Sequence, residues 1–490
     1  MFPLPHVAKK KIAVFGLGLT GLATCKALVA SGAEVFCWDE SAATCAKTKN
    51  TKYASSHPKE WPWAELSSLV VSPGVPLTHP QPHVIVRKAQ LEGVEVIGDI
   101  ELFARTLNSL DAPARPRVIG VTGTNGKSTT TALIGHILRE SGRRVHVGGN
   151  IGEPLLSLAP PSDGAIYVLE LSSYQLDLAH SFRPSSGIVL NFAPDHLERH
   201  GTMANYIAAK ARMFAHGKDD DLAIIGIDDP DAQSLCAELV ASGRRVTPIS
   251  SGGALGRGIF ALDSRLYYRL GQKTGEAGSI GGIETLRGSH NAQNAAAALA
   301  AVMEEEVSPA VAIRSMERFK GLAHRAEIVA REDGVDFIND SKATNVAAAA
   351  NALENFDNIY WIAGGRAKDE PLTALRYAIT GVERAYFIGE AAETFQTSFG
   401  GFVPSRRFDG LEQAVTAATE DAFKAGGGVV LLSPACASHD QFRNFEDRGD
   451  TFRLIVSDLL AERSEARSAE TEDEPPGKKS DADIDQGAAA

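Results

Sequence analysis

Short apolar runs that close on glycine alternate with longer amphipathic stretches along most of the 490-residue chain. Lys11–Gly18 (KIAVFGLG) reads as a buried strand, and Thr20–Ala30 as the helix that follows it. Glu34–Asp39, Leu69–Gly74 and Glu95–Asp99 repeat the strand pattern. Strands separated by helix-length segments predict a parallel sheet with crossover helices. The breaker-rich stretch at 111–116 (DAPARP) places a boundary near residue 112.

A second unit of the same kind starts at Arg117–Gly123 (RVIGVTG), with a helix predicted over Lys127–Ser141 and strands over Ala165–Leu171, Gly187–Asn191 and Leu222–Ile227. The glycine-rich stretches at 250–258 and 271–282 read as hairpin or loop, and the alanine-rich Asn291–Glu305 as a helix. A third set of strands follows at Val335–Asn339, Ile359–Ala363, Arg384–Ile388 and Val429–Leu432. The expected fold is α/β in three domains: a Rossmann-like N-terminal domain (1–112), a central P-loop ATPase-type mononucleotide-binding domain (113–323) and a Rossmann-like C-terminal domain (324–462). Within 463–490, the stretch from Ser464 onward carries five of the net negative charges and almost no large apolar side chains, so a disordered acidic tail is expected there.

A length near three times about 150 residues agrees with three domains. Asp and Glu number 61 against 49 Lys and Arg, a net charge of −12, which speaks against a duplex nucleic-acid binder. No apolar run approaches the length of a bilayer span, and the basic N-terminus lacks the apolar core of a leader. Five cysteines without a C-x-x-C pair fit a reduced compartment and offer no zinc site. A cytoplasmic protein is expected.

Two glycine loops carry the chemistry. Gly120–Thr129 (GVTGTNGKST) lies between a strand and a helix, as a phosphate loop requires. Backbone N–H groups of Gly123, Thr124, Asn125 and Gly126 can turn toward one anion, and Lys127 can reach the β- and γ-phosphates. Ser128, followed by Thr129, is placed to ligate Mg²⁺. Val121 stands where the strict pattern has its first glycine. The loop predicts ATP or a relative as ligand. Gly16–Gly21 (GLGLTG), with Asp39 ending the next strand, fits a dinucleotide fingerprint and leaves a nicotinamide enzyme open, although a phosphate loop has no part in hydride transfer.

Taken together, GVTGTNGKST, Glu170–Leu176 (ELSSYQL), Asp195-His196, Lys210, His290-Asn291 with Asn294, Gly321–Arg325 (GLAHR), Asn339–Asn345 (NDSKATN) and Leu432–Ser438 (LSPACAS) resemble the Mur ligases of peptidoglycan synthesis, from about Lys11 to Leu460. The resemblance implies an ATP-dependent ligase that activates the L-alanine carboxylate of UDP-N-acetylmuramoyl-L-alanine as an acyl phosphate and joins it to D-glutamate. It implies two Mg²⁺ ions, held by Ser128, Glu170, His196 and a carbamate on Lys210. Lys127, His196 and Lys210 are the implied catalytic residues, and Asn291, Asn294, Arg325 and Asp340 would join the phosphate loop on ATP. Leu19, Thr20, Ser72, Gly74 and Asn150 would hold the UDP-substrate, and Thr344, Lys368, Ser438 and Phe445 the D-glutamate carboxylates. A monomer is expected, hinged near 321–325.

Glu40-Ser41 stands where some members carry Thr-Arg near the uracil, and the aromatic Pro58–Trp63 has no assigned role. Two other classes of member fit less well. A diaminopimelate-adding enzyme would carry D-N-P-R, which is absent, and an L-alanine-adding one has His at Asn125. A nucleotide-dependent scaffold would have no need of Glu170, His196, Lys210, Lys368 and Ser438.

Overall fold

The computed structural model describes residues 1–111, 115–367 and 371–472, with side chains to 465. It divides into two compact units, Met1–Leu322 and a second that begins at Ala323.

The first unit holds two sheets. Strands β1 (Lys11–Phe15), β2 (Glu34–Trp38), β3 (Leu66–Val71) and β4 (Glu95–Ile97) form a parallel sheet in the order β2-β1-β3-β4. The order reverses between β1 and β3, so the crevice for a ligand opens at their carboxyl ends. The loops there are locked together: Ser72 Oγ donates to the Gly16 carbonyl at 3.0 Å, and a Cβ on Gly21 would lie 1.9 Å from that same oxygen.

The second sheet contains β5 (Arg117–Thr122), β6 (Arg144–Gly149), β7 (Ala165–Glu170), β8 (Ser186–Val189), β9 (Leu222–Gly226), β10 (Arg245–Ser250), β11 (Gly258–Leu262), β12 (Arg265–Leu270) and β13 (Lys273–Ser279). Its order is β13-β12-β11-β10-β9-β8-β5-β7-β6, parallel from β6 to β11 and antiparallel beyond. Helix Lys127–Glu140 and the alanine-rich helix Ser289–Glu304 pack on it. Buried alanines at 295–298, 300 and 301 give the latter a thin face that lies close to its neighbours.

An aromatic cluster joins the two sheets of this unit. Phe103, on helix Asp99–Asn108, sits 4.7 Å from the Phe2 ring and 5.5 Å from Tyr167 of β7. Glu101 of the same helix is buried and accepts from His180 N, Ser181 N, Ser181 Oγ and Arg105 Nε at 2.7–2.8 Å. Trp61 and Trp63, for which the sequence offers no role, are buried beside Leu66 and Val86 in the N-terminal core.

The second unit is a six-stranded sheet made of β14 (Glu327–Glu332), β15 (Val335–Asn339), β16 (Ile359–Gly364), β17 (Val382–Ile388), β18 (Ser405–Arg407) and β19 (Gly428–Leu432), ordered β14-β15-β19-β16-β17-β18. Only β14 runs antiparallel to its neighbour. The helix Phe445–Glu472 runs ten residues into the segment expected to be a disordered tail. There the Ala/Glu/Arg composition has high helix propensity. Arg463 also anchors it, with its guanidinium 3.8 Å from the Phe423 ring centre and 3.2 Å from Asp333. Residues 473–490 lie outside the described ones. Among the described residues no helix is long and apolar enough to cross a membrane.

Candidate active site

The phosphate loop joins β5 to helix Lys127–Glu140. Gly126 adopts φ +82°, a left-handed conformation that glycine adopts without strain. A Cβ there would lie 2.2 Å from Asn294 Oδ1, so the loop is pressed against the alanine-rich helix. Thr124 Oγ1 lies 3.0 Å from the Tyr206 hydroxyl, and Asn125 N donates to Asn191 Oδ1 at 2.9 Å. Lys127 Nζ donates to the carbonyls of Gly123 (2.9 Å) and Thr124 (2.7 Å). Ser128 is buried and Thr129 half-buried in the first turn. Asn291 and Asn294 are buried on the facing helix, with Asn294 Nδ2 donating to Asn291 Oδ1 at 3.0 Å and Thr130 Oγ1 to Asn294 Oδ1 at 3.1 Å.

Beneath this loop lies Lys210, on helix Met203–Ala211 and 1% exposed. Its Nζ donates to the Gly123 carbonyl at 2.9 Å and to Thr122 Oγ1 at 3.3 Å, and it sits 4.6 Å from the Tyr206 ring centre. Burial and the nearby Lys127 charge hold its amine well below the ordinary lysine value. A neutral amine is a nucleophile toward CO₂, and the carbamate that results is an oxygen ligand suited to Mg²⁺.

Glu170 ends β7 and is 2% exposed. Its Oε1 accepts from Asn150 Nδ2 at 2.7 Å, while Oε2 is buried with no hydrogen-bond partner. A buried carboxylate oxygen left in that state is costly unless a cation meets it. Glu170, Ser128 and a carbamate on Lys210 fit Mg²⁺, which takes few protein oxygens and completes its shell with phosphate and water. Among the described residues no three His, Cys, Asp or Glu side chains cluster tightly enough to hold a metal by themselves. His196 has left-handed backbone (φ +56°), with Nδ1 3.0 Å from the Tyr174 hydroxyl and Nε2 3.3 Å from Asp195. The structure thus brings Asn150 to Glu170 directly. It also adds Asn191, Tyr174, Tyr206 and Thr122, whose roles depend on contacts distant in sequence.

The other predicted substrate residues lie at the carboxyl ends of β1 and β3. Leu19 is 83% exposed at the start of helix Leu19–Ala30, Thr20 follows it, and Ser72 and Gly74 lie just past β3. Asp39 is committed to backbone: its Oδ2 accepts from Leu17 N at 2.6 Å and its Oδ1 from Ser41 N at 2.8 Å. Glu40 lies 3.1 Å from His83 Nε2, and the His83 ring packs 4.9 Å from Phe15.

In the second unit, burial pushes the Asp340 carboxyl up to about 7, against hydrogen bonds from Ser433 Oγ and Ala326 N. Lys342 Nζ lies 3.6 Å from the centre of the Phe445 ring. Arg448, buried and absent from the sequence expectations, donates to Ser341 Oγ, to the Ser341 carbonyl and to the Cys436 carbonyl. It knits the 341–344 loop, which ends in half-buried Thr344, to the 436–438 loop, where Ser438 is buried. Arg325 is half-buried. Lys368 lies outside the described residues.

Three family models cover the chain: Mur ligase MurD-like, N-terminal domain at 10–98, Mur ligase middle domain at 121–302, and Mur ligase, glutamate ligase domain at 324–436. The chain belongs to the Mur ligase family. It is 49% identical to a Caulobacter sp. (strain K31) protein called UDP-N-acetylmuramoylalanine--D-glutamate ligase, across 94% of this chain and 98% of that one. Proteins of the same name from Phenylobacterium zucineum (46%; 95% and 100% covered) and Brucella abortus strain 2308 (48%; 93% and 97%) are similar throughout. Among solved structures, the fold is shared with UDP-N-acetylmuramate-alanine ligase MurC of Thermotoga maritima (TM-score 0.56, 17% identity, 92% and 99% covered). It is shared too with MurF of Acinetobacter baumannii (TM-score 0.57, 15% identity, 94% and 92% covered).

Proposed function

We propose that this chain catalyses ATP-dependent addition of D-glutamate to UDP-N-acetylmuramoyl-L-alanine, acting as a monomer in the cytoplasm. The observation that carries the reading is one arrangement: a phosphate loop lies over a buried Lys210, whose amine is held by burial well below the ordinary lysine value, beside a Glu170 oxygen that lacks a partner. With this stands similarity, over nearly the whole length, to ligases of that name.

A carboxylate is a poor acyl donor because oxide is a poor leaving group. Its oxygen attacks the γ-phosphorus of ATP, and ADP leaves. The amine of D-glutamate then attacks the acyl carbon through a tetrahedral intermediate, loses a proton, and phosphate departs with the C–O electron pair. In this scheme Lys127 neutralises charge on the transferred phosphoryl group, and the loop amides fix its position. Mg²⁺, when bound, supplies further charge neutralisation on the phosphates. Ser128, Glu170, His196 and carbamylated Lys210 would hold the two ions, and Asn150, which orients Glu170, would also serve the muramoyl-alanine part of the substrate. Leu19, Thr20, Ser72 and Gly74 hold the UDP-sugar in residues 1–112, and the central 113–323 segment binds ATP with Asn291 and Asn294. In 324–462, Arg325 and Asp340 serve the nucleotide, while Thr344, Lys368, Ser438 and Phe445 serve the D-glutamate carboxylates.

Phosphate release with ATP and Mg²⁺, omitting UDP-N-acetylmuramoyl-L-alanine and D-glutamate in turn, tests the reading. Release that needs both, with L-glutamate and meso-diaminopimelate inactive, is expected. Release indifferent to both would leave only an ATPase.

A further inference from the structure

The phosphate loop and the far side of the central sheet are linked by one unbroken chain of side chains. Asn125 N donates to Asn191 Oδ1 at 2.9 Å, and Asn191 Nδ2 donates to Gln293 Oε1 at 3.1 Å. Gln293 Nε2 donates in turn to Asp228 Oδ2 at 2.8 Å. Asp228 gathers the loop after β10: its Oδ1 accepts from Ser250 Oγ (2.5 Å) and Gly252 N (3.3 Å), and its Oδ2 from Ser251 N (2.9 Å) and Ser251 Oγ (3.2 Å). The chain thus runs along the carboxyl ends of β5, β8, β9 and β10, where an open parallel sheet binds its ligand.

Gln293 is the joint. It is 5% exposed, and it lies on the helix between Asn291 and Asn294, whose side chain abuts Gly126. Its two polar atoms have opposite duties: the carbonyl must accept from Asn191 and the amide must donate to Asp228. Only an amide in one orientation meets both, and in a buried site a mismatch is costly.

We propose that Gln293 and Asp228 are positioning residues for ATP: they hold the phosphate loop, the alanine-rich helix and the 250–252 loop in one register. The inference rests on the proposed ATP site and deepens it. Neither residue touches the reacting atoms. Loss of the contact therefore weakens nucleotide binding and leaves D-glutamate use alone.

Gln293→Glu sets a carboxylate oxygen against Asp228 while keeping an acceptor for Asn191. Asp228→Asn in the same chain restores a donor opposite it. With the full chain and Mg-ATP, the KM for ATP should rise about tenfold in Q293E. The kcat and the KM for D-glutamate should stay within about threefold, and the double variant should recover part of the loss, because its new amide NH₂ also faces Ser251 N. Direct titration of Mg-ATP provides a readout independent of turnover. If Q293E does not fold, Gln293→Met, which keeps the shape without the polar ends, enters the same assays with the same expected rise. An unchanged KM for ATP in a folded variant, or a double variant no better than Q293E, overturns the inference. A wild-type chain that does not bind Mg-ATP overturns the proposed function with it.

Discussion

Glu101 offers a quantitative test of how the N-terminal sheet is fixed to the central one. It is 1% exposed and receives four hydrogen bonds, from His180 N, Ser181 N, Ser181 Oγ and Arg105 Nε. Glu101→Gln keeps the shape and removes the charge. The amide has two ways to sit. With its NH₂ toward His180 N and Ser181 N, two buried donors face a third. With its NH₂ toward Arg105 and Ser181 Oγ, the hydroxyl can turn to accept, and Arg105 keeps its contact with Glu95. The second costs less. It weakens two charge-assisted bonds and loses the Arg105 bond, for a total of about 2.5–7 kcal/mol, taking about 1.5–3 kcal/mol for a hydrogen bond to a charged group and about 1 kcal/mol for a neutral one.

Denaturant unfolding followed by tryptophan fluorescence is the assay, because Trp38, Trp61 and Trp63, three of four tryptophans, belong to the N-terminal sheet and its core. Burial raises the Glu101 carboxyl, but hydrogen bonds from Arg105, Ser181 and His180 outweigh it, so its value in the folded protein lies below the usual 4.5. The stabilisation from that shift is therefore full above pH 4.5 and is lost as the pH falls through the lowered folded value. The gap between wild type and E101Q should shrink in acid. An E101Q protein within about 0.5 kcal/mol of wild type at neutral pH, or a gap that widens on acidification, would refute the reasoning.

Three further outcomes are expected. Lys210→Met should lower kcat by about 10²–10³ while ATP still binds. Removing CO₂ should slow the wild-type enzyme reversibly, with recovery in bicarbonate and no response in the variant; near-wild-type turnover by K210M would take Lys210 out of the mechanism. Glu170→Gln, which leaves the Asn150 contact possible but removes the charge behind Oε2, should raise the Mg²⁺ needed for half-maximal activity about tenfold; an unchanged Mg²⁺ titration would contradict its role. Gly126→Ala combines a left-handed φ, costing about 1–2 kcal/mol, with a methyl 2.2 Å from Asn294 Oδ1, and should raise the KM for ATP more than it lowers thermal stability.

Elements whose apolar residues face a core were legible in advance. The phosphate loop, its strand and the alanine-rich helix all fall within two residues of their expected bounds. Strand β6 left no such mark: its pattern is mostly half-buried, and it is held by pairing with β7 at a sheet edge. The helix past residue 462 was missed for a related reason, since charge density argues for coil while local propensity and Arg463 favour helix. Within the site, residue types at the phosphate loop declare their chemistry. Gln293, Asp228 and Asn191 do not, because an amide or a carboxylate acquires a role only from partners 65 and 102 residues away.

The burial of Lys210 has a practical side. Burial holds its amine below the ordinary lysine value, yet acylating and alkylating reagents larger than a gas molecule meet the Tyr206 ring and the phosphate loop before they meet its nitrogen. In a lysine-labelling experiment this buried amine should thus be among the last to be modified.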